Sequence, residues 1–323
     1  MSDQVSSPKP PAGLFSARRK PADTIGDPLL HGLAAAASVV GVGLLLWIAY
    51  TVFDNAAPAI SKFGLGFVVH TAWDPVTDHF GAAYFVFGTV VSSAVALLIA
   101  APMSIAIAVY LTELASRRVR RPAAILVELL AAIPSVILGL WGILVFGPFL
   151  NDHLEPALNR VLGWIPLFSG SPSPYGMLNA ALILTIMVVP IVSAVAREVF
   201  ETTPSELKEG AYALGATRWE MVRMVVLPYG RPGVTGAIIL GLGRALGEAI
   251  AVTQVIGNTP GIHLSLFPPA ATLAAQIASE YQGATTPLQT ASLIYLAAIL
   301  LVISLVVNMV ARLIVRRTAA GSR

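Results

Sequence analysis

Long apolar runs separated by short charged segments set the pattern of this chain. Residues 31–53, 81–111, 175–196 and 288–311 contain no Asp, Glu, Lys or Arg. A helix needs about 20 residues to cross a hydrocarbon core of about 30 Å, and each run is long enough. Two further runs are nearly as clean: 122–150 contains Glu128, and 233–256 contains Arg244 and Glu248. The pattern predicts an all-α polytopic membrane protein with six transmembrane helices.

The segments between the runs set the organisation. Residues 1–30, with SSPKPPAG and SARRKPAD, are polar and proline-rich, which predicts a disordered cytoplasmic tail. They lack an apolar core followed by a small-residue cleavage site, so no removable signal peptide is expected. The first helix and an outer segment occupy 31–80. The main transmembrane domain occupies 81–317, and 318–323 form a second short cytoplasmic tail. Pro102 is expected to interrupt the second helix. TLAAQIASEYQGATTP, ahead of the last run, predicts a short surface helix.

Composition agrees. The chain of 323 residues is 56% hydrophobic and 11% charged, whereas soluble domains carry about 25% charged residues. That excludes a soluble globular class. With no cysteine, disulfide and thiolate chemistry are excluded too. The net charge of +3 reports topology. Of the 20 Lys and Arg, only Lys62 and Arg160 fall in predicted outer segments, and Arg244 lies within a span. The others cluster in segments that become cytoplasmic if both termini are cytoplasmic, as the positive-inside rule requires. Trp47, Tyr50 and Phe53, then Tyr84, Phe85 and Phe87, then Phe146 and Phe149 fall at predicted outer ends, as interfacial aromatics do. The histidines His31, His70, His79, His153 and His263 are scattered and suggest no metal or catalytic constellation.

The segment 201–232, ETTPSELKEGAYALGATRWEMVRMVVLPYGRP, predicts two helices and a turn. Thr203, Pro204 and Glu206 read as a capping box, and Gly215 as a left-handed helix terminator. Thr217 with Glu220 reads as a second capping box, with Pro228 ending the helix it starts. Tyr212, Leu214, Trp219, Met221, Val222 and Val225 put apolar surface on a segment assigned to water. Such surface either receives a partner or packs under the protein's own bundle.

Glu209-Gly210-Ala211, then Gly215, then Val225-Val226-Leu227-Pro228 resembles the EAA motif of ABC-importer permeases. Gly210 and Val225 depart conservatively from that pattern, and its spacing is intact. The resemblance implies a coupling helix docking on a separate ATPase, with Glu209, Gly210, Ala211, Gly215, Leu227 and Pro228 as coupling positions. Consistently, no G-x-x-x-x-G-K-[ST] phosphate loop occurs, so the ATPase must be another chain.

Arg244 and Glu248 stand in the middle of the fifth run. An arginine at a helix centre costs about 2.5–3.5 kcal/mol on the insertion scale. A glutamate one turn on shares the same face and reduces that cost. The pair reads either as a structural lock or as the polar lining of a pathway. Gly243-x-x-x-Gly247 is a small-residue face that permits close helix approach. Glu128 reads as an interfacial carboxylate or a gate residue. Pro134 and Ser135 read as a kink or interface in the third helix.

GLGRALGEAIAVTQVIGN, VELLAAIPSVILGLWG and TLAAQIASEYQGA resemble the corresponding segments of PstC-type phosphate permeases over residues 80–312. The resemblance implies a type I ABC importer permease fold, phosphate translocation past Arg244 and Glu248, and a multi-pass location in the bacterial cytoplasmic (inner) membrane. It implies four partners: a second, PstA-type permease subunit, two PstB-type ATPase subunits and an extracytoplasmic PstS-type phosphate-binding protein. No cofactor is then expected on this chain, with ATP and Mg on the ATPase. The alternatives are an importer for sulfate, molybdate or another oxyanion, and a proton-coupled carrier with Glu248 or Glu128 as proton site. A channel would want a filter, and a membrane enzyme a nucleophile or metal cluster; neither is read here.

Overall fold

The computed structural model describes residues 21–320, with side-chain surroundings from 29 to 313. Contacts divide the chain into two units, Met1–Thr51 and Val52–Arg323. The boundary falls inside the first helix, α1 (Pro21–Phe63). In the first unit the described part is α1 from Pro21 on, where the Trp47 and Tyr50 rings stand 6.0 Å apart. The tail assigned to 1–30 lies outside the described residues as far as 20, and α1 begins ten residues' worth ahead of the assigned boundary, at Pro21.

In the second unit α1 runs past the end of its apolar stretch to Phe63, followed by a 3-10 turn, Gly64–Val68. Asp54 and Asn55 end the hydrophobicity without ending the helix. A small antiparallel hairpin follows, β1 (Trp73–Asp74) on β2 (His79–Phe80). The Thr77 hydroxyl and the Val76 N–H both donate to Asp74 and hold its carboxyl below the usual carboxylate range.

Then come α2 (Ala83–Val109), closing in a π turn at Tyr110–Leu114, and α3 (Arg117–Ala131). α4 (Ser135–Trp141), α5 (Gly147–Phe149) and α6 (Glu155–Leu162) follow as one helical run with π turns between them. α7 (Met177–Glu201) is followed by α8 (Ser205–Ala213) and α9 (Arg218–Met221). A π turn, Val222–Val226, leads into α10 (Leu227–Gly247), and α11 (Ile250–Val255), α12 (Leu273–Glu280) and α13 (Pro287–Ala320) complete the order.

Among the described residues, 6 helices are long and apolar enough to cross a membrane: Leu29–Val68, Ala83–Leu114, Ser135–Leu162, Met177–Glu201, Arg218–Gly247 and Pro287–Leu313. The chain is a multi-pass, all-α membrane protein. α7 is the most buried span and forms the centre. It packs along α2 and α10, where Gly241 lets the backbones approach: a Cβ there would meet Val192 Cγ2 at 2.6 Å. In lipid such contacts act through close packing rather than exclusion from water.

Several expectations are corrected. The third span is Ser135–Leu162 rather than 122–150, because the chain leaves the helix at 132–134. Pro134 offers no N–H and disfavours α geometry at Ile133. α2 is not broken at Pro102, which lies inside the continuous helix Ala83–Val109. Pro228 does not stop the helix begun at Arg218. It follows directly on a π turn, Val222–Val226, and the helix carries on through it into α10. α12 does form, but it is no surface helix: Leu273, Ala274, Ala275 and Gln276 are buried. The segment expected as a tail, 318–323, is helical through 320 as the end of α13, and 321–323 lie outside the described residues.

Candidate functional site

The fifth apolar run is a broken helix. α10 ends at Gly247, Glu248 is extended (φ −75, ψ 114), and α11 starts at Ile250. Gly243 and Gly247 weaken the last turns of α10, since glycine in a helix costs about 0.5–1 kcal/mol relative to alanine. The Glu248 carboxylate stabilises the break: its Oε1 accepts the Ala251 N–H at 3.2 Å, taking one of the free donors at the start of α11. Thr253 adds a hydroxyl bond of 2.6 Å to the Ala249 carbonyl.

Both charges sit at favourable helix ends. Arg244 is in the last turn of α10 and Glu248 just ahead of α11, so each faces the opposite partial charge of a half-helix. Arg244 Nη2 lies 3.7 Å from Glu248 Oε2. That is an ion pair but longer than a hydrogen bond. The Glu248 side chain is 8% exposed and that of Arg244 44%. The guanidinium therefore keeps donors and access for an oxyanion, while the carboxylate is committed to the protein.

α4 closes one side of the break. A Cβ on Gly139 would meet Gln254 Oε1 at 2.7 Å and Ala251 Cα at 2.9 Å, so α4 and α11 touch backbone to backbone. Pro134 is the residue that starts α4 and Ser135 its first position, which brings both to the helix beside the break. Gln254 Oε1 is buried with no hydrogen-bond partner, a polar group at the site that the sequence reading passed over. Its signal was available, as a glutamine inside an apolar run. The Gly243–Gly247 face is not packed within this chain, since a Cβ on either glycine would meet nothing within 4 Å, whereas one on Gly241 would meet Val192 and Val188. Glu128, on α3, is 56% exposed and pairs with Arg197 of α7 at 3.0 Å; it makes no bond to Arg244 or Glu248.

The α8–α9 hairpin is the second candidate surface. α8 ends in a Schellman motif, with Ala216 N–H on the Ala211 carbonyl at 3.1 Å and Gly215 N–H on the Tyr212 carbonyl at 2.9 Å. Gly215 takes φ +83, the left-handed conformation expected of it. Thr217 and Glu220 form the expected reciprocal capping box. The first expected box does not form: Pro204 is the cap residue, and Thr203 is turned inward, 5% exposed, with its hydroxyl unpartnered. Gly210, Ala211 and Gly215 line a cleft of about 660 Å³ with Leu207, Leu214 and Met224. Glu209 is exposed on the same helix, whereas Leu227 and Pro228 lie outside the cleft, half-buried at the start of α10. Sequence reading also missed Lys208 Nζ, which meets Glu113 Oε1 of the α2 π turn at 2.6 Å.

The sequence pattern of the family described as binding-protein-dependent transport system inner membrane components matches residues 102–320. The chain belongs to this family. It is 45% identical over 298 residues to the phosphate transport system permease protein PstC of Mesorhizobium japonicum, covering 91% of each protein. It is 41% identical over 319 residues to PstC 2 of Mycobacterium tuberculosis, covering 96% of this chain and 98% of that one. Among solved structures, a bacterial alginate ABC transporter in complex with a pentasaccharide-bound periplasmic protein aligns with a TM-score of 0.58 at 20% identity, over 91% of this chain and 97% of the other. An inward-facing MetNI methionine ABC transporter aligns with a TM-score of 0.51 at 21% identity, over 74% and 94%. Those two establish the fold, that of a type I ABC importer permease.

Proposed function

We propose that this family member is the transmembrane permease subunit of an ATP-driven importer that carries inorganic phosphate into the cell. The observation that carries the reading is Arg244: a half-exposed guanidinium at the break of a membrane span, loosely paired and with free donors. A planar fork of N–H groups suits a tetrahedral oxyanion. Its retained counter-ion, Glu248, keeps the contact weak, which suits a path that must release what it admits. The relatives' names point to phosphate among oxyanions. A proton-site role for Glu248 is disfavoured because its carboxylate already holds the start of α11.

In this reading both termini and the α8–α9 hairpin face the cytoplasm of a bacterial inner membrane, with domain 81–317 forming half a pathway. A PstA-type permease subunit supplies the other half, a PstS-type protein delivers phosphate, and two PstB-type ATPases, with ATP and Mg, dock at Glu209–Gly215. The chain itself catalyses nothing. The test is uptake of labelled phosphate at low concentration by cells carrying the wild-type chain, Arg244→Ala or no copy. Expected is loss of uptake in both deficient strains, no competition by excess sulfate, and normal recovery of the Arg244→Ala complex. Normal uptake by Arg244→Ala overturns the pathway role, and sulfate competition moves the substrate to another oxyanion.

A further inference from the structure

Within α8 every side chain is exposed except Lys208 and Ala211, which lie three residues apart on one face. Ala211 rests on the apolar cluster formed by Ala108 and Val109 of α2, Ala196 and Phe200 of α7, and Val222 and Val226 of the π turn ahead of α10. Lys208 reaches past it to Glu113, with side chains 21% and 10% exposed. Among the described residues this is the one ion pair that joins the α8–α9 hairpin to a membrane span. Glu113 sits in a π turn, a local widening of the helix often found at functional positions. That same turn is held from the other side by Arg120, whose guanidinium donates to the Thr112 carbonyl. From there α2 runs the length of the central helix α7.

We propose that Lys208 and Glu113 are positioning residues that transmit movement of the coupling helix to α2, so that ATP hydrolysis on the partner opens the path. This rests on the importer reading above. A small apolar contact such as Ala211 resists pushing but not pulling; a short, largely buried ion pair holds in both directions. Losing one partner also strands a charge in a desolvated place, so neither group is silent when the other is neutralised.

The experiment uses the complete complex in vesicles, with external binding protein, labelled phosphate and ATP. The readout is phosphate transported per ATP hydrolysed for wild type, Glu113→Gln, Lys208→Met and the double exchange Glu113→Lys with Lys208→Glu. The single variants should hydrolyse ATP with a transport ratio at least about fivefold lower, the low end of typical coupling between sites. The exchange should recover most of that ratio. Single variants at the wild-type ratio, or an exchange no better than they are, overturn the proposal. Should the single variants fail to assemble, spin labels at Leu114 and Ser205, both exposed and the latter outside the cleft, introduced as cysteines into a chain that has none, decide it in otherwise wild-type protein. Their separation should stay constant between nucleotide-free and nucleotide-bound complexes, and a change overturns the linkage. Wild-type complex that moves no phosphate refutes the importer reading instead.

Discussion

The hairpin glycines separate two reasons why a residue at the proposed docking surface matters. Gly215 has φ +83 and nothing within 4 Å of the position a Cβ would take. A Cβ there meets no neighbour in this chain, so a loss inside the chain on substitution by alanine comes from backbone strain. For alanine in the left-handed region that strain is about 1–2 kcal/mol, enough to lower the folded-to-unfolded ratio of the hairpin about 5–30-fold. Asparagine tolerates the conformation far better, so Gly215→Asn keeps the turn and adds a polar side chain to the cleft. Gly210→Ala is the control: it also meets nothing within 4 Å, lies inside α8, and gains about 0.5–1 kcal/mol of helix stability. The assays are protease susceptibility at 210–220 in the isolated chain and co-purification with the ATPase. Gly215→Ala should be cleaved faster and co-purify poorly. Gly215→Asn should resist cleavage like wild type and yet lose the ATPase, while Gly210→Ala should be cleaved more slowly. If Gly215→Asn retains the ATPase, the cleft is not the docking surface; if Gly215→Ala resists cleavage like wild type, the strain argument is wrong.

Gly241→Leu drives atoms into Val192 and Val188 at the α10–α7 crossing and should cost about 1–3 kcal/mol from overpacking, read as a lower Tm of the purified chain; an unchanged Tm would show that the helices part freely. Glu248→Gln keeps an oxygen that can accept the Ala251 N–H and removes the counter-ion, whereas Glu248→Ala removes both. Loss of a cap costs about 1 kcal/mol, so Glu248→Ala should lower Tm further than Glu248→Gln, while both alter phosphate uptake. Equal Tm for the two variants would mean that the bond to Ala251 contributes nothing.

Hydropathy made the helix count legible because a span must hide its backbone polar groups from lipid, which forces long apolar helices. It misplaced boundaries where local backbone chemistry overrode composition. At 122–134 the apolar content continues, but Pro134 ends the helix, so α3 becomes a separate element carrying Glu128. At 218–232 the opposite holds: Pro228 suggests a stop, yet it follows a π turn at Val222–Val226 and the helix continues. Gly215 and the Thr217–Glu220 box were readable because they depend on neighbours in sequence alone. The Lys208–Glu113 pair was not, since its partners are 95 positions apart and each looks like an ordinary charge beside a membrane. The break at Glu248 was hidden for a related reason. Arg and Glu four apart also suit an unbroken helix, and the bond from the Ala251 N–H that distinguishes the two cases exists only after the chain has turned.

That break bears on how a charged pair survives in a membrane span. In a continuous helix, Arg244 and Glu248 would rely on each other, with both backbone dipoles already used internally. Breaking the helix between them creates a carbonyl end beside the cation and an N–H end beside the anion. The carboxylate takes the better place, almost fully buried and bonded to Ala251, and the guanidinium is left half-exposed. The asymmetry is the useful part. A pair with both members buried would be inert, and an unpaired arginine would hold a phosphate too firmly to pass it on. An arginine whose counter-ion is anchored 3.7 Å away can exchange partners without either charge becoming isolated. In the proposed pathway, fixing Glu248 is thus what would free Arg244 to act on a passing anion.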